Sequence, residues 1–528
     1  MAPGALVVIA REVHPLRILL ALGIAAVAAY AGKFLPFAAD VQPQAALRLL
    51  FVTAFTTMCW LLSAMPIAAA SMLPLLLLPI FSVQSTAEVT RGYSDPILWL
   101  FGGGFVLAQA IEVWGLHRRV ALRVITIVGP YPRRLVLGFF LAATCISMFI
   151  NNTSVALMLL PIGTMLVERT LSLGELNGKH AKNFGAAIMC AIAFGASIGG
   201  MGTPIGTAPN ALFFGCYDKL VEQGAAPVSF LGWTLAFAPY AIVLSVAASY
   251  AITHLALPIP RMRLFRGDEL LAEARALPAL TTPEKRVAWV FAIAVLLWMT
   301  RSDITLGAGQ VIHGWAHYLV PPGERDRYIA DGTVAVAVAI ALLLLPAGTK
   351  HGERLMTWEI ARKMPFDLLF LLGAGIAMAD AFLPTGLSRA FGEAMRPLIG
   401  NVHPALLLLV LVLGITALSE VASNTAIASL FLPILRDGAI AAQMDPLMLM
   451  LPATIAASCG FMLPIATPPN TIVFSSRLIT FGQMARAGLA LDLIAALLLL
   501  PCLWFWSLPI LGVDPAVIPK WLSTGVGK

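Results

Sequence analysis

The sequence predicts an all-α polytopic membrane protein with about 11 transmembrane helices and two re-entrant helical hairpins, arranged as inverted repeats. Three observations carry this expectation. Of 528 residues, 59% are hydrophobic and only 12% charged, where a soluble chain would be about a quarter charged. Apolar stretches of about 17–25 residues, enough to cross a bilayer, recur throughout. A polar tip between apolar arms occurs twice. Asn152-Thr153-Ser154-Val155-Ala156, followed by Leu160-Pro161-Ile162, matches Asn424-Thr425-Ala426-Ile427-Ala428, followed by Leu432-Pro433-Ile434, every pair 272 residues apart.

The first span is expected at about 17–36. Arg11, Arg17 and the small residues Ala28–Ala31 could imitate a secretory leader, but the apolar run is long and many others follow, so it reads as a span. Spans 2 and 3, at about 47–64 and 66–83, are separated at Met65-Pro66, because proline stops one helix and starts the next. Span 4, at about 96–116, contains Gly102-Gly103-Gly104, a run suited to close helix packing. His117–Arg134 is a basic amphipathic segment expected to lie along the membrane surface.

Residues 135–167 are apolar but interrupted by Ser147, Asn151, Asn152 and Thr153, which leaves arms of about 15 residues. Such arms suit a hairpin that enters and leaves by one face. Span 5, about 183–222, is broken at Gly199–Asn210, and span 6 follows at about 229–256, before a charged connector at 259–286. The second half repeats the plan. Spans 7, 8 and 9 fall at about 286–300, 331–346 and 365–384, a second hairpin at about 403–435, and span 11 at about 486–509. Gly104 and Gly115-Leu116 are echoed by Gly375 and Gly386-Leu387 at offset 271. Span 10 is broken at Pro464-Ile465-Ala466-Thr467-Pro468-Pro469-Asn470, which matches Pro204-Ile205-Gly206-Thr207-Ala208-Pro209-Asn210 at offset 260. The twelve extra residues of the first half are expected in the polar connector 168–182.

A cytoplasmic N-terminus puts the basic clusters at 118–134, 261–286 and 350–363 inside and the C-terminus outside. Spans 4 and 9 then run in opposite directions, and the hairpins enter from opposite faces. The net charge of +7 sits in loops, with no basic run interleaved with aromatics, so nucleic-acid binding finds no support. Cys59, Cys145, Cys190, Cys216, Cys459 and Cys502 form no CxxC and read as free core thiols, and the eight histidines show no HExxH or comparable metal spacing.

Four broken elements converge if the repeats pack about a pseudo-twofold axis. Helix N-termini at the breaks offer partial positive charge to a carboxylate or other oxyanion. Freed carbonyls, with Ser, Thr and Asn oxygens, offer hard ligands to Na⁺. Neither tip and neither broken loop holds a Lys or Arg, so a bound anion needs amides, hydroxyls and co-bound cations. That favours cation-coupled anion transport over an anion pore, and no catalytic cofactor is called for. Gly102–Gly104 read as packing. Glu420 either pairs with a base or sits at the surface of the hairpin tip, and Glu112 and Asp380 have no assigned role.

At these residues the chain resembles the divalent anion/sodium symporter family, the sodium-coupled dicarboxylate, citrate and sulfate transporters. The resemblance rests on Trp60–Pro66, Phe101–Phe105, Trp114–Arg119, both tips and both Pro-Asn loops. The family's Ser-Asn-Thr signature is present as Ser423-Asn424-Thr425, whereas the first tip reads Asn151-Asn152-Thr153, with Asn in place of Ser. Ser419 stands where Thr is common, and Ser63 where an acidic residue is common.

The resemblance implies an elevator transporter, a homodimer in the bilayer. Scaffold helices would fall at 47–134 and 286–402 and a mobile transport part at 135–258 and 403–528, with 1–46 as the N-terminal span and 259–285 as a cytoplasmic connector. It also implies one Na⁺ site at Ser147, Asn151, Asn152 and Gly206, and a second at Ser419, Ala422, Asn424 and Ala466. The substrate would meet Asn151, Asn152, Thr153, Ser423, Asn424 and Thr425, beside Thr207, Thr467 and Pro468. The expected activity is Na⁺-coupled import of C4-dicarboxylates across a bacterial inner membrane. The alternatives are a sodium-independent exchanger or a carrier of citrate, sulfate or another oxyanion. An enzyme or a channel on the same scaffold is the reading from another class, and a metalloenzyme would need a His/Asp/Glu cluster.

Overall fold

Proline opens many of the helices, at the turn where its missing N–H costs nothing. The computed structural model describes residues 13–37, 43–129, 131–172, 176, 178–262, 279–305, 311–321, 328–349, 352–515 and 517–523. Helix α1 (Pro15–Ala31) packs along α2 (Pro43–Leu61), and α3 (Leu73–Ile80) and α4 (Thr86–Gly92) follow. Then come α5 (Pro96–Val113), α6 (Leu116–Val128), α7 (Pro132–Ser147), α8 (Asn152–Ser172), α9 (Gly178–Gly200), α10 (Ala208–Glu222) and α11 (Phe230–Ala251).

The second half holds α12 (Thr282–Met299), a two-stranded ribbon of β1 (Ile304–Thr305) and β2 (Val311–Ile312), and α13 (Asp331–Leu344). It continues with α14 (Phe366–Phe382), α15 (Leu387–Asn401), α16 (Pro404–Val421), α17 (Asn424–Ala441), α18 (Leu447–Ala457), α19 (Pro468–Ser475) and α20 (Phe481–Cys502). Every expected span and both hairpins find their helices. The ribbon is the one addition to an all-α reading among the described residues.

Among the described residues eight helices are long and apolar enough to cross a membrane, or up to nine if the bent pair at Phe366–Ala394 is one span. Two of the eight, α8 and α16, are hairpin arms, and six are expected spans; the other five expected spans are the bent pair, three shorter apolar helices, and α12, whose first turn is charged. The hairpin arms are longer than the expected 15 residues: α7 has 16, α8 21, and α16 and α17 18 each. The polar residues at the end of α8 continue the helix to Ser172 because Glu168 and Arg169 are good helix formers. Most of the charged connector 259–286 lies outside the described residues.

The repeat is visible in the backbone. Gly115 begins α6 at φ 70° and Gly386 begins α15 at φ 72°, a left-handed turn that glycine adopts without steric cost. Both following helices are amphipathic. Helix α14 meets the start of α15 at 79° across this turn. Of the three glycines in α5, Gly103 is the one that packing requires: a Cβ there would stand 2.5 Å from the Ala335 carbonyl of α13. All six cysteines are free, as expected, and four of them are buried.

The halves are interleaved. Helix α10 packs on α17 and α18 of the second half, while α19 packs on α8 and α9 of the first. Phe194 of α9 meets Phe461 of the second broken loop at 5.3 Å between ring centroids. This reciprocal exchange packs the helix after each broken loop against the other half of the chain.

Candidate functional site

Each hairpin tip presents the same polar pair. At the end of α7, Ser147 Oγ lies 2.7 Å from Asn152 Oδ1, at the start of α8. In the second copy Ser419 Oγ lies 2.7 Å from Asn424 Oδ1 and 2.6 Å from Ala457 O. One hydroxyl proton is shared there between two acceptor oxygens. A cluster with more acceptors than protons suits a cation. Ser147 and Ser419 are buried, while Asn151, Asn152, Thr153, Ala422, Ser423 and Asn424 are half-buried and Thr425 is buried. Asn151 Oδ1 accepts the Thr153 N–H at 2.8 Å, so the residue that replaces the family's Ser caps the first turn of α8.

The broken loops are held by asparagines. Asn210 Nδ2 donates to Gly200 O at 2.9 Å and Thr203 O at 2.8 Å. Asn470 Nδ2 donates to Gly460 O and Leu463 O, both at 3.0 Å. These are carbonyls freed where α9 and α18 stop, and one amide group satisfies two of them. Both asparagines are fully buried, and the Oδ1 of each has no hydrogen-bond partner. Thr207 and Thr467 begin α10 and α19 in extended conformation, at φ −148° and −137°, and Pro468 occupies the first turn of α19.

Tip and loop touch in each copy. A Cβ on Gly200 would stand 2.8 Å from Asn152 Oδ1 and 3.0 Å from Thr207 Cβ. Gly206 lies directly on the Gly200 backbone, with its Cβ position 2.8 Å from Gly200 Cα. The second copy is looser: a Cβ on Gly460 would be 3.3 Å from Ala466 and 3.5 Å from Asn424 Oδ1. That extra space accommodates Ala466 where the first copy has Gly206. The structure thus gathers Ser147, Asn152, Gly206 and Thr207 in one cradle. Ser419, Asn424 and Ala466 form the other, with Thr467 capping the adjoining helix.

The family description "Sodium:sulfate symporter transmembrane region" matches residues 17–512. The chain belongs to the sodium:sulfate symporter family. A sodium-dependent dicarboxylate transporter, SdcS, of Staphylococcus saprophyticus subsp. saprophyticus is 35% identical over 469 residues, 88% of this chain and 87% of the relative. SdcS of Staphylococcus aureus strain USA300 is 34% identical over 476 residues, 89% of this chain and 88% of the relative. Two solved structures share the fold. They are the Alcanivorax borkumensis YdaH transporter (TM-score 0.53, 14% identity, 94% of this chain and 96% of that one) and Neisseria gonorrhoeae MtrF (0.52, 15%, 93% of each).

This sodium:sulfate symporter family member is therefore an integral membrane transporter and not an enzyme. Its fold also settles residues that the sequence left open. Among the described residues Glu420 has no basic partner, and it is not at the surface. It is buried, and its carboxylate accepts the N–H groups of Phe461 at 2.6 Å, Met462 at 2.8 Å and Leu463 at 2.9 Å. Three backbone dipoles stabilise the charge and close the second loop. In the first copy the corresponding position is Met148, whose carbonyl accepts the Thr203 hydroxyl instead. Asp380 pairs with Lys219 across the α14–α10 contact, and Glu112 is exposed. Asn210 and Asn470 stood in the repeated motif without an assigned role. Their matching offset was the available signal, since a buried Asn at a broken helix has freed carbonyls to satisfy.

Proposed function

We propose that the protein imports C4-dicarboxylates of the succinate, malate and fumarate type together with Na⁺, by an elevator movement. The observation that carries this reading is the duplicated Ser–Asn oxygen cluster, Ser147–Asn152 and Ser419–Asn424, each beside an Asn-locked broken loop. One Na⁺ is assigned to Ser147, Asn151, Asn152 and Gly206. The other is assigned to Ser419, Ala422, Asn424 and Ala466. The substrate carboxylates are assigned to Asn151, Asn152 and Thr153 on one side and Ser423, Asn424 and Thr425 on the other, with Thr207, Thr467 and Pro468 adjoining. Amide and hydroxyl donors would hold the carboxylates, and the two cations would balance their charge. The similarity to sodium-dependent dicarboxylate transporters supports both the ion and the substrate class.

In this reading residues 135–258 and 403–528 move as a unit against a scaffold of 47–134 and 286–402 that forms a homodimer in a bacterial plasma membrane. The N-terminus is cytoplasmic and the C-terminus outside. More than two Na⁺ per dianion would carry net positive charge inward, worth about 2.3 kcal/mol per charge at 100 mV.

The test is uptake of labelled succinate into proteoliposomes under an inward Na⁺ gradient or a K⁺ gradient, for wild type and Asn424→Ala. Sodium-dependent uptake that fails in the variant is the expected result. Uptake indifferent to Na⁺ but raised by internal succinate would replace symport with exchange. No succinate uptake by folded protein would move the substrate to citrate, sulfate or another oxyanion.

A further inference from the structure

The described residues between α12 and α13 lie at the end of the bundle away from the basic connectors, and several of them are tied to the end of α12. Trp315 N–H donates to Thr300 O at 3.0 Å and its indole Nε1–H to Leu297 O at 2.9 Å. Strand β1 pairs with β2 in the register Ile304 to Ile312, which sets Asp303 opposite His313. Gly314 permits the approach: a Cβ there would stand 2.7 Å from the Ser302 carbonyl carbon. The chain then turns through one 3₁₀ turn, Trp315–Tyr318, and returns His317 to the same side.

Asp303, His313 and His317 meet there. Asp303 Oδ2 lies 3.4 Å from His313 Nδ1 and 3.8 Å from His317 Nδ1. The imidazole centroids are 3.7 Å apart, and the three ligand atoms all lie within 4.8 Å of one another. Donors bound at about 2.0–2.2 Å in a tetrahedral site stand about 3.4 Å apart, so rotation of two side chains completes the geometry. Asp303 Oδ1 accepts the Gly314 N–H at 3.0 Å, which orients the carboxylate with Oδ2 beside the rings. His317 Nδ1 is buried and has no hydrogen-bond partner. A buried ring nitrogen with no partner, aimed at a second imidazole and a carboxylate, lacks the ligand that would satisfy it.

We propose that Asp303, His313 and His317 form a divalent transition-metal site, of the Zn²⁺ class, that staples the α12–α13 connection. Two imidazoles and one carboxylate suit Zn²⁺, with water in the fourth position. The sequence reading found no metal spacing among the histidines. The two histidines are four apart, His313 just after β2 and His317 on the 3₁₀ turn, and the ribbon brings in the third ligand from ten residues before His313. The site lies on a surface connection and is independent of the Na⁺ and substrate assignment.

The test uses the full chain in detergent, carrying a tag without histidine and stripped with a chelator. Zn²⁺ alone is titrated in competition with a chromophoric chelator. Wild type is expected to bind one equivalent that His313→Ala, His317→Gln and Asp303→Asn bind at least tenfold more weakly, while His180→Ala, on the exposed start of α9, binds as wild type. Zn²⁺ should raise the unfolding temperature of wild type and not of the three variants, whose metal-free unfolding temperatures report that they fold. Cobalt(II) should give the visible absorption of a four-coordinate ion in wild type only. Equal Zn²⁺ binding by wild type and the three variants, or none by folded wild type, would overturn the assignment.

Discussion

Ser419 Oγ stands 2.7 Å from Asn424 Oδ1, five residues further along the chain, where α16 ends and α17 begins. The same separation recurs between Ser147 and Asn152 at the first tip. One such hydroxyl–amide pair, at the same spacing, thus stands at the tip of each hairpin.

Ser419→Ala removes one oxygen from the second cradle and leaves the backbone untouched. A lost ligand of this kind costs about 1–2 kcal/mol. The Na⁺ concentration for half-maximal uptake should rise about tenfold, with a modest fall in unfolding temperature because a buried hydroxyl donor is lost. Ser147→Ala should do the same at the first cradle. Uptake titrated against Na⁺ checks both, and an unchanged half-saturation would remove these hydroxyls from the ion sites.

Glu420→Gln keeps the volume but turns one acceptor oxygen into a donor facing backbone N–H groups of the Phe461–Leu463 segment. Transport should fall at least tenfold, since charged hydrogen bonds are worth about 1.5–3 kcal/mol each. Succinate uptake by protein that still elutes as a single species from size exclusion is the measurement. Wild-type rates would show that the loop closes without the carboxylate.

Asn470→Ala and Asn210→Ala take the side-chain donor from the buried Gly460 O and Gly200 O, while Leu463 O and Thr203 O keep the N–H groups of Ala466 and Gly206. Each stranded group costs about 1–3 kcal/mol, so both variants should unfold at clearly lower temperature in detergent. Asn470→Asp should not restore stability, because an acidic oxygen cannot donate to Gly460 O and Leu463 O. Recovery by Asp would contradict the assigned direction of these bonds.

The two cradles should respond unequally to one added methyl group. Gly200→Ala forces contacts of 2.8 and 3.0 Å, whereas Gly460→Ala meets its neighbours at 3.2 Å and beyond. Overpacking of the tighter kind costs about 1–3 kcal/mol. Gly200→Ala should therefore lose most of its uptake while Gly460→Ala retains a substantial part. The reverse ranking would mean that the first cradle opens more readily than its contacts indicate.

The sequence carried the architecture because membranes leave few choices. Apolar length, proline breaks and basic loops located every span, and offsets of 272 and 260 paired the tips and the loops. What escaped it were contacts between residues far apart in the chain. Glu420 was ambiguous because its partners are backbone amides 41 to 43 residues away, which no side-chain pattern announces. Lys219 and Asp380 are joined only when α10 crosses α14. The Asp303–His313–His317 cluster depended on a four-residue ribbon too short to register as strand. Hairpin arms were underestimated because helices continue through polar residues when their propensity allows.

The exchange of α10 and α19 between halves bears on how the chain is made. Helix α9 is wholly buried along its apolar window, and part of its cover is α19, synthesised more than 260 residues later. During insertion the first half must therefore wait in the bilayer with a face turned to lipid that belongs against protein. It is completed only as the last spans emerge from the ribosome. A chain that stops short of Pro468 lacks the helix that covers this side of α8 and α9.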